Sequence, residues 1–329
     1  IHENTIFIFT TDNGTAGGAK VFNAAMRGQK GSEYDGGHRV PFILHWPAGG
    51  MGKKHESGTL THAVDVAPTL LDMAGVTKPD AVTFDGVSVR ALLDPAVDVD
   101  WKDRMLVTDS QRVVDPVKWR KSAVMSQGWR LVNGTELYHI DEDPGQKKDL
   151  AKDHPEKVAT MRKFYEAGWA ELEPTFAETT EIYLGHPEAK VASLTGHDWI
   201  SKGGVPWNQG HIRRGPGGGS KRGKKPAKPA KLTHQGHWAV KVITDGTYKI
   251  SALRYPKESG KAINAALPKG EGVPGSSMAF RENAGAAIGA TAAILRVNGK
   301  DLETKPVADG AREVSFTAKL TKGSHELAP

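Results

Sequence analysis

Short unbroken apolar runs, separated by glycine and proline, dominate the hydrophobic pattern, and one stretch carries a sustained helical period. Residues 5–10, Thr-Ile-Phe-Ile-Phe-Thr, are β-branched or aromatic throughout, which predicts a central strand covered on both faces. Residues 40–46 predict a second such strand, with Pro41 at its start, where no ladder donor is needed. Residues 65–75 read as a short helix with an acidic start, an early Pro68 and a stop at Gly75. Four further strand candidates lie at 105–108, 121–125, 129–132 and 136–139. Asn133-Gly134 joins the last two, a strong hairpin signal. A helix is predicted from Asp153 with Pro155 in its first turn. Val158, Met161, Tyr165, Trp169 and Leu172 form its apolar face at steps of three or four.

Beyond residue 237 the period changes to two. Trp238, Val240 and Val242 alternate with Ala239 and Lys241, and Tyr248 and Ile250 resume the alternation after Asp245-Gly246. Residues 293–297 and 313–318 add short strands between glycine turns, the pattern of a β-sandwich. The fold class expected is α/β: part of a larger sheet domain, a small antiparallel sheet plus helix subdomain, and a mainly β, sandwich-like C-terminal domain. The expected boundaries are 1–103, 104–205, 206–233 and 234–329.

Charge refines this division. The net charge of the 329 residues is +6, yet residues 213–231 hold eight Lys and Arg and no acid, so everything else sums to −2. That stretch is rich in Gly, Pro and Lys and cannot bury a core, so it reads as a solvated linker. No aromatic is interleaved with its cations, which argues against single-stranded nucleic acid as a partner. The chain has no cysteine, excluding a disulfide framework, thiolate metal ligands and a thiol nucleophile within these residues. No apolar run approaches the roughly 20 residues that span a bilayer. The opening Ile1-His2-Glu3-Asn4 has neither an initiator Met nor a signal-peptide pattern, and the chain enters a strand at once. It reads as a piece of a longer protein.

Candidate chemistry gathers after the first strand. Asp12 and Asn13 follow it directly, where ligands collect beyond the carboxyl ends of strands in open α/β sheets. A carboxylate beside an amide oxygen offers two hard ligands, suited to Ca²⁺ or Mg²⁺; a polar turn is the competing reading. The segment from Arg27 to Pro41 then holds four glycines and the cations Arg27, Lys30, His38 and Arg39. Its glycines permit close backbone approach to a ligand, and Lys30 could place a point charge on an oxyanion.

Residues 4–14 (NTIFIFTTDNG) followed by 27–41 (RGQKGSEYDGGHRVP) closely resemble the type I, arylsulfatase-like sulfatases of the alkaline-phosphatase superfamily. The resemblance continues through 65–71 (DVAPTLL), 85–88 (DGVS), 129–131 (WRL), 136–138 (ELY) and 143–146 (DPGQ), covering roughly residues 1–200. It implies an alkaline-phosphatase-like sheet domain with a smaller C-terminal sheet, and sulfuric ester hydrolysis. By the same resemblance Asp12 and Asn13 complete a Ca²⁺ site (Ca²⁺ ahead of Mg²⁺) and Lys30 contacts the sulfate, with Arg27 a further candidate substrate contact. Arg39 and Asp65 match positions with structural roles. The formylglycine nucleophile made from a Cys/Ser-x-Pro-x-Arg motif is expected outside these residues, which contain no such motif. The isolated chain is therefore expected to be inactive.

A sulfated small molecule or sulfated glycan is the partner implied, in a periplasmic or extracellular setting. Two other readings stay open. One is a phosphodiesterase or phosphonate hydrolase of the same superfamily, which would need a two-metal site. The other is a non-catalytic glycan-binding protein using Trp238, Tyr248, Arg254 and Tyr255; their alternation equally suits the core of a sandwich. Residues 238–255 resemble, more loosely, the C-terminal extension of bacterial sulfatases. Sequence leaves the oligomeric state open.

Overall fold

The computed structural model describes residues 1–94, 97, 99–111, 113, 115–201, 236–275, 277, 284–285 and 287–328. The basic stretch and the whole segment 206–233 lie outside them, as do the linker's boundaries. The chain is mixed α/β with several small sheets, and it divides into two compact units, Ile1–Phe176 and Ala177–Pro329.

In the first unit, β1 (Phe7–Thr10) pairs antiparallel with β2 (Phe42–His45), with Phe7 opposite His45 and Thr10 opposite Phe42. The expectation of a strand covered on both faces is corrected here. Among the described residues the two strands form a two-stranded ribbon, and Phe7, Phe9 and Ile43 are more than half exposed. Apolar character alone cannot report how many neighbours a strand has. Between the strands lies α1 (Asp35–His38), a single turn whose Asp35, Gly36 and Gly37 are buried. Helix α2 (Val66–Ala74) ends as its sequence predicts: Gly75 adopts φ 65°, and the Gly75 and Val76 amides donate to the Asp72 and Leu71 carbonyls. A short turn, α3 (Arg90–Leu93), follows.

The second layer is a four-stranded antiparallel meander: β3 (Leu106–Thr108), β4 (Ala123–Ser126), β5 (Trp129–Val132) and β6 (Glu136–His139). The turn between β5 and β6 is the Asn133-Gly134 pair, at φ 50° and 71°, the left-handed geometry that such a turn requires. Helix α4 (Pro155–Leu172) lies on one face, and Val124, Leu131, Leu137, Met161, Tyr165 and Trp169 form the shared core. Trp119 stacks on Tyr165 at 3.8 Å. The predicted apolar face of the helix holds through Trp169, whereas Leu172 in the last turn is 56% exposed. The other face of the sheet carries Ala123, Val132 and Tyr138, and Tyr34 packs on it.

The second unit begins with β7 (Ile182–Leu184) and β8 (Ile200–Ser201), both paired with β9 (Gly236–Val242). It continues with β10 (Gly246–Ala252), β11 (Ala292–Val297), β12 (Lys300–Pro306), β13 (Val314–Leu320) and β14 (Gly323–Ala328). One sheet runs β12-β11-β14-β9-β7 and a second pairs β10 with β13. In β13, Val314, Phe316, Ala318 and Leu320 are buried while Thr317 and Lys319 are exposed. This period of two sends one face into a core with Val242, Leu295 and Ile263. Residues from both sheets meet there, which is the sandwich expected from the alternation. No described helix is long and apolar enough to cross a membrane.

Candidate active site

The loop after β1 and the glycine-rich segment before β2 are joined through their backbones. The Lys30 amide donates to the Thr15 carbonyl at 3.0 Å, and the Gly14 amide to the Gly37 carbonyl at 2.9 Å. Glycine is required at these crossings. A Cβ on Gly14 would stand 1.9 Å from the Gly36 carbonyl oxygen, and one on Gly37 would stand 2.0 Å from that of Ser32. Asn23 ties the segment internally, its Nδ2 donating to the Met26 and Gly28 carbonyls at 2.9 Å each. Asp12 and Lys30 are exposed and Asn13 is half-buried. The fold thus brings together the loop bearing Asp12 and Asn13 and the loop bearing Lys30, with all three side chains at or near the surface.

Arg27 has a different environment. Its Nη1 donates to the Tyr138 hydroxyl (3.1 Å) and the Gln146 carbonyl (2.9 Å), and the guanidinium lies 3.7 Å from the centre of the Tyr34 ring. Glu136 Oε2 accepts from both the Tyr34 (2.9 Å) and Tyr138 (2.6 Å) hydroxyls. Burial, then the hydrogen bond to Glu136, pushes the Tyr34 phenol up to about 12, and the same causes raise that of Tyr138. Both phenols therefore stay protonated donors. The candidate substrate contact Arg27 is engaged in holding its own loop on the meander.

Beneath the loop lies a group that sequence reading missed. Asp35 Oδ1 accepts from Arg130 Nε at 2.9 Å, with the two side chains 1% and 6% exposed. Gln146, fully buried, accepts from the Asp35 amide through Oε1 at 2.9 Å. Burial lowers the Arg130 pKa, and Asp35 opposes that shift. His38 is likewise lowered by burial, against the pull of Asp35. Asp65 is a second buried carboxylate: Arg104 engages both of its oxygens, and the Val87 and His62 amides donate to it at 3.0 and 2.8 Å. Burial raises its pKa, but these donors outweigh burial and hold it below the usual carboxylate value. Asp65 organises backbone, as its matching position implies, and Arg39 Nη1 lies 3.7 Å from Asp35 Oδ2.

The aromatic and basic residues of the second unit are engaged within that unit. Trp238 Nε1 donates to the Thr195 carbonyl at 2.7 Å, and its ring meets the edge of Trp199 at 4.7 Å. Tyr248 packs on the sandwich core, and Arg254 and Tyr255 both hydrogen-bond the Ala265 carbonyl. No cluster of three or more His, Cys, Asp or Glu suited to a metal stands among the described residues.

A family model described as Sulfatase matches residues 1–76, the span that contains both site loops. Over that span the chain is similar to the sulfatases. An arylsulfatase from Hemicentrotus pulcherrimus is 34% identical over 100 residues, 28% of this chain and 17% of that protein. A Delta 4,5-hexuronate-2-O-sulfatase from Bacteroides thetaiotaomicron is 31% identical over 160 residues, 46% of this chain and 31% of that protein. The solved structure of Ps i-CgsB in complex with k-i-k-neocarrahexaose is 26% identical, with a TM-score of 0.42 over 54% of this chain and 40% of that one. Each match covers less than two thirds of the relative's own length. The matches of the two curated relatives, over 100 and 160 residues, are longer than the 76 residues of the family model.

Proposed function

We propose that the chain supplies the calcium- and sulfate-binding wall of a sulfuric ester hydrolase that acts on a sulfated sugar or a small sulfate ester. The observation that carries this reading is the pair of backbone hydrogen bonds that fix the Lys30 loop against the Asp12–Asn13 loop. Asp12 and Asn13 provide oxygens of the hardness that Ca²⁺ prefers, with Mg²⁺ second, but two of the six to eight such an ion takes. The remaining ligands come from outside these residues. When bound, the ion would polarise the sulfuryl oxygens. Lys30 would neutralise charge growing on those oxygens during transfer. The formylglycine and the general acid also lie outside these residues, so residues 1–329 alone are expected not to turn over an aryl sulfate. The names of the relatives, an arylsulfatase and a hexuronate sulfatase, favour sulfate over phosphate esters and a sugar-like leaving group. Export to the periplasm or beyond accompanies this reading.

The test is Lys30→Ala in the protein that carries this chain together with its formylglycine motif. Loss of one oxyanion-stabilising donor is expected to raise the barrier by about 2–4 kcal/mol. Unchanged kcat/KM on a sulfate ester would reduce Lys30 to a surface cation. Asp12→Ala should lose bound calcium, read by elemental analysis, in step with activity. Comparing sulfate with phosphate diesters on the same preparation separates this reading from the phosphodiesterase one.

A further inference from the structure

Resting on that reading, we infer that Arg130 and Gln146 are positioning residues for Lys30: the meander face holds the glycine-rich loop in the geometry that the sulfate site needs. Besides Tyr138, which accepts from Arg27, five residues of the meander and the loop that follows it reach this segment. Lys121 Nζ donates to the Gly31 carbonyl at 2.9 Å, and Asn133 Nδ2 to Glu33 Oε1 at 3.1 Å. Glu136 accepts from Tyr34, Arg130 Nε donates to Asp35, and Gln146 accepts from the Asp35 amide. These five contacts fall on loop positions 31, 33, 34 and 35, directly after Lys30.

Two features make Arg130 and Gln146 the centre of this arrangement. Both are buried, whereas Lys121 is exposed, so water cannot replace their bonds to Asp35 cheaply. Arg130 is itself fixed, its Nη1 donating to the Ser126 and Trp129 carbonyls at 3.0 and 2.8 Å. The loop therefore has a rigid reference. From α1 the constraint passes through Gly37, whose carbonyl accepts from Gly14, to the Asp12–Asn13 loop, and through Thr15 back to the Lys30 amide. A geometry-sensitive site loses about 100-fold in rate from a displacement near 1 Å. Arg130 and Gln146 bond to Asp35; they act through backbone.

The experiment combines kinetics with amide hydrogen exchange in the full protein. In Arg130→Met and Gln146→Leu, peptides covering 11–15 and 27–37 are expected to exchange roughly tenfold faster, while those of the second unit keep their protection. The kcat on a sulfate ester should fall by about 100-fold with KM changed less than about twofold, and Arg130→Lys should recover part of the loss. Gln146→Leu in a Lys30→Ala background should cost less than in the wild type, because misplacing an absent amine has no consequence and only the disturbance of the Asp12–Asn13 loop remains. Should Arg130→Met fail to fold, Gln146→Leu, which leaves no buried charge, carries every readout. Unchanged exchange at 27–37, unchanged kcat, or full additivity with Lys30→Ala would each overturn the inference. Failure of the sulfate reading looks different: Lys30→Ala is silent on activity while the loop still loosens in Gln146→Leu, and positioning for catalysis then falls with it.

Discussion

The two faces of the four-stranded meander are covered by opposite kinds of chemistry. On one side α4 presents Met161, Tyr165 and Trp169 to Val124, Leu131 and Leu137, a contact made of apolar volume. On the other, a glycine-rich loop is held by an ion pair, a buried amide and two phenols around Ala123 and Val132. Apolar packing is non-directional and tolerates repacking that conserves volume. Buried hydrogen bonds between fixed partners admit one geometry and are costly when half-made. The helix face therefore supplies stability, and the loop face supplies position.

Removing one member of the ion pair should give the largest effect. Asp35→Ala strands Arg130 in a buried setting and is expected to cost about 3–5 kcal/mol in denaturant unfolding. A loss under about 1 kcal/mol would mean that the pair is solvated and the contrast between faces false. Leu131→Ala on the helix face should follow, at about 2–5 kcal/mol, with activity per folded molecule retained. The double replacement Asp35→Leu/Arg130→Met sharpens the contrast further. It should unfold with a loss about 1–4 kcal/mol smaller than the single change, yet remain as slow on sulfate as Arg130→Met.

Acid should act through the loop face. His38 and His62 have folded pKa values lowered by burial, so below about pH 6.5 the unfolded chain binds protons that the folded chain resists. Their contribution is complete above that value and declines as pH falls toward the folded pKa. Melting temperature measured from neutral pH to about pH 5 should drop in the wild type, and drop less in His38→Gln. Asp65, with its pKa held low, adds its own loss only below the ordinary Asp value of about 4. The smallest effect belongs to Leu172→Ala, within about 0.5 kcal/mol, because that side chain is already more than half exposed.

What could be read in advance follows the same division. The helix face was legible because steps of three and four survive in a linear string, and the Asn133-Gly134 turn because its geometry depends on two adjacent residues. The alternation of β13 exposed the sandwich core for the same reason. The ion pair was not legible: Asp35 and Arg130 lie 95 positions apart, and Arg130 in a Trp-Arg-Leu-Val run reads as an outward cation. Gln146 stands out in the sequence only as the last residue of the family-like 143–146 (DPGQ) stretch, and its φ of 46° has no signature in a glutamine. Asp12, Asn13 and Lys30 were visible through family resemblance, while the hydrogen bonds that join their loops depend on carbonyls that every residue carries.

The register of the second unit bears on the long basic stretch. Ser201 on β8 faces Gly236 on β9, and Ile182–Leu184 runs parallel to Val240–Val242. Ser201 and Gly236 are thus held opposite one another in a single sheet. Changing the length of the chain between two positions held in this way costs about 0.6 kcal/mol of ring-closure entropy for each doubling. A cut within it would leave two polypeptides zipped by the strands on either side. The sandwich would then assemble from two separately made pieces.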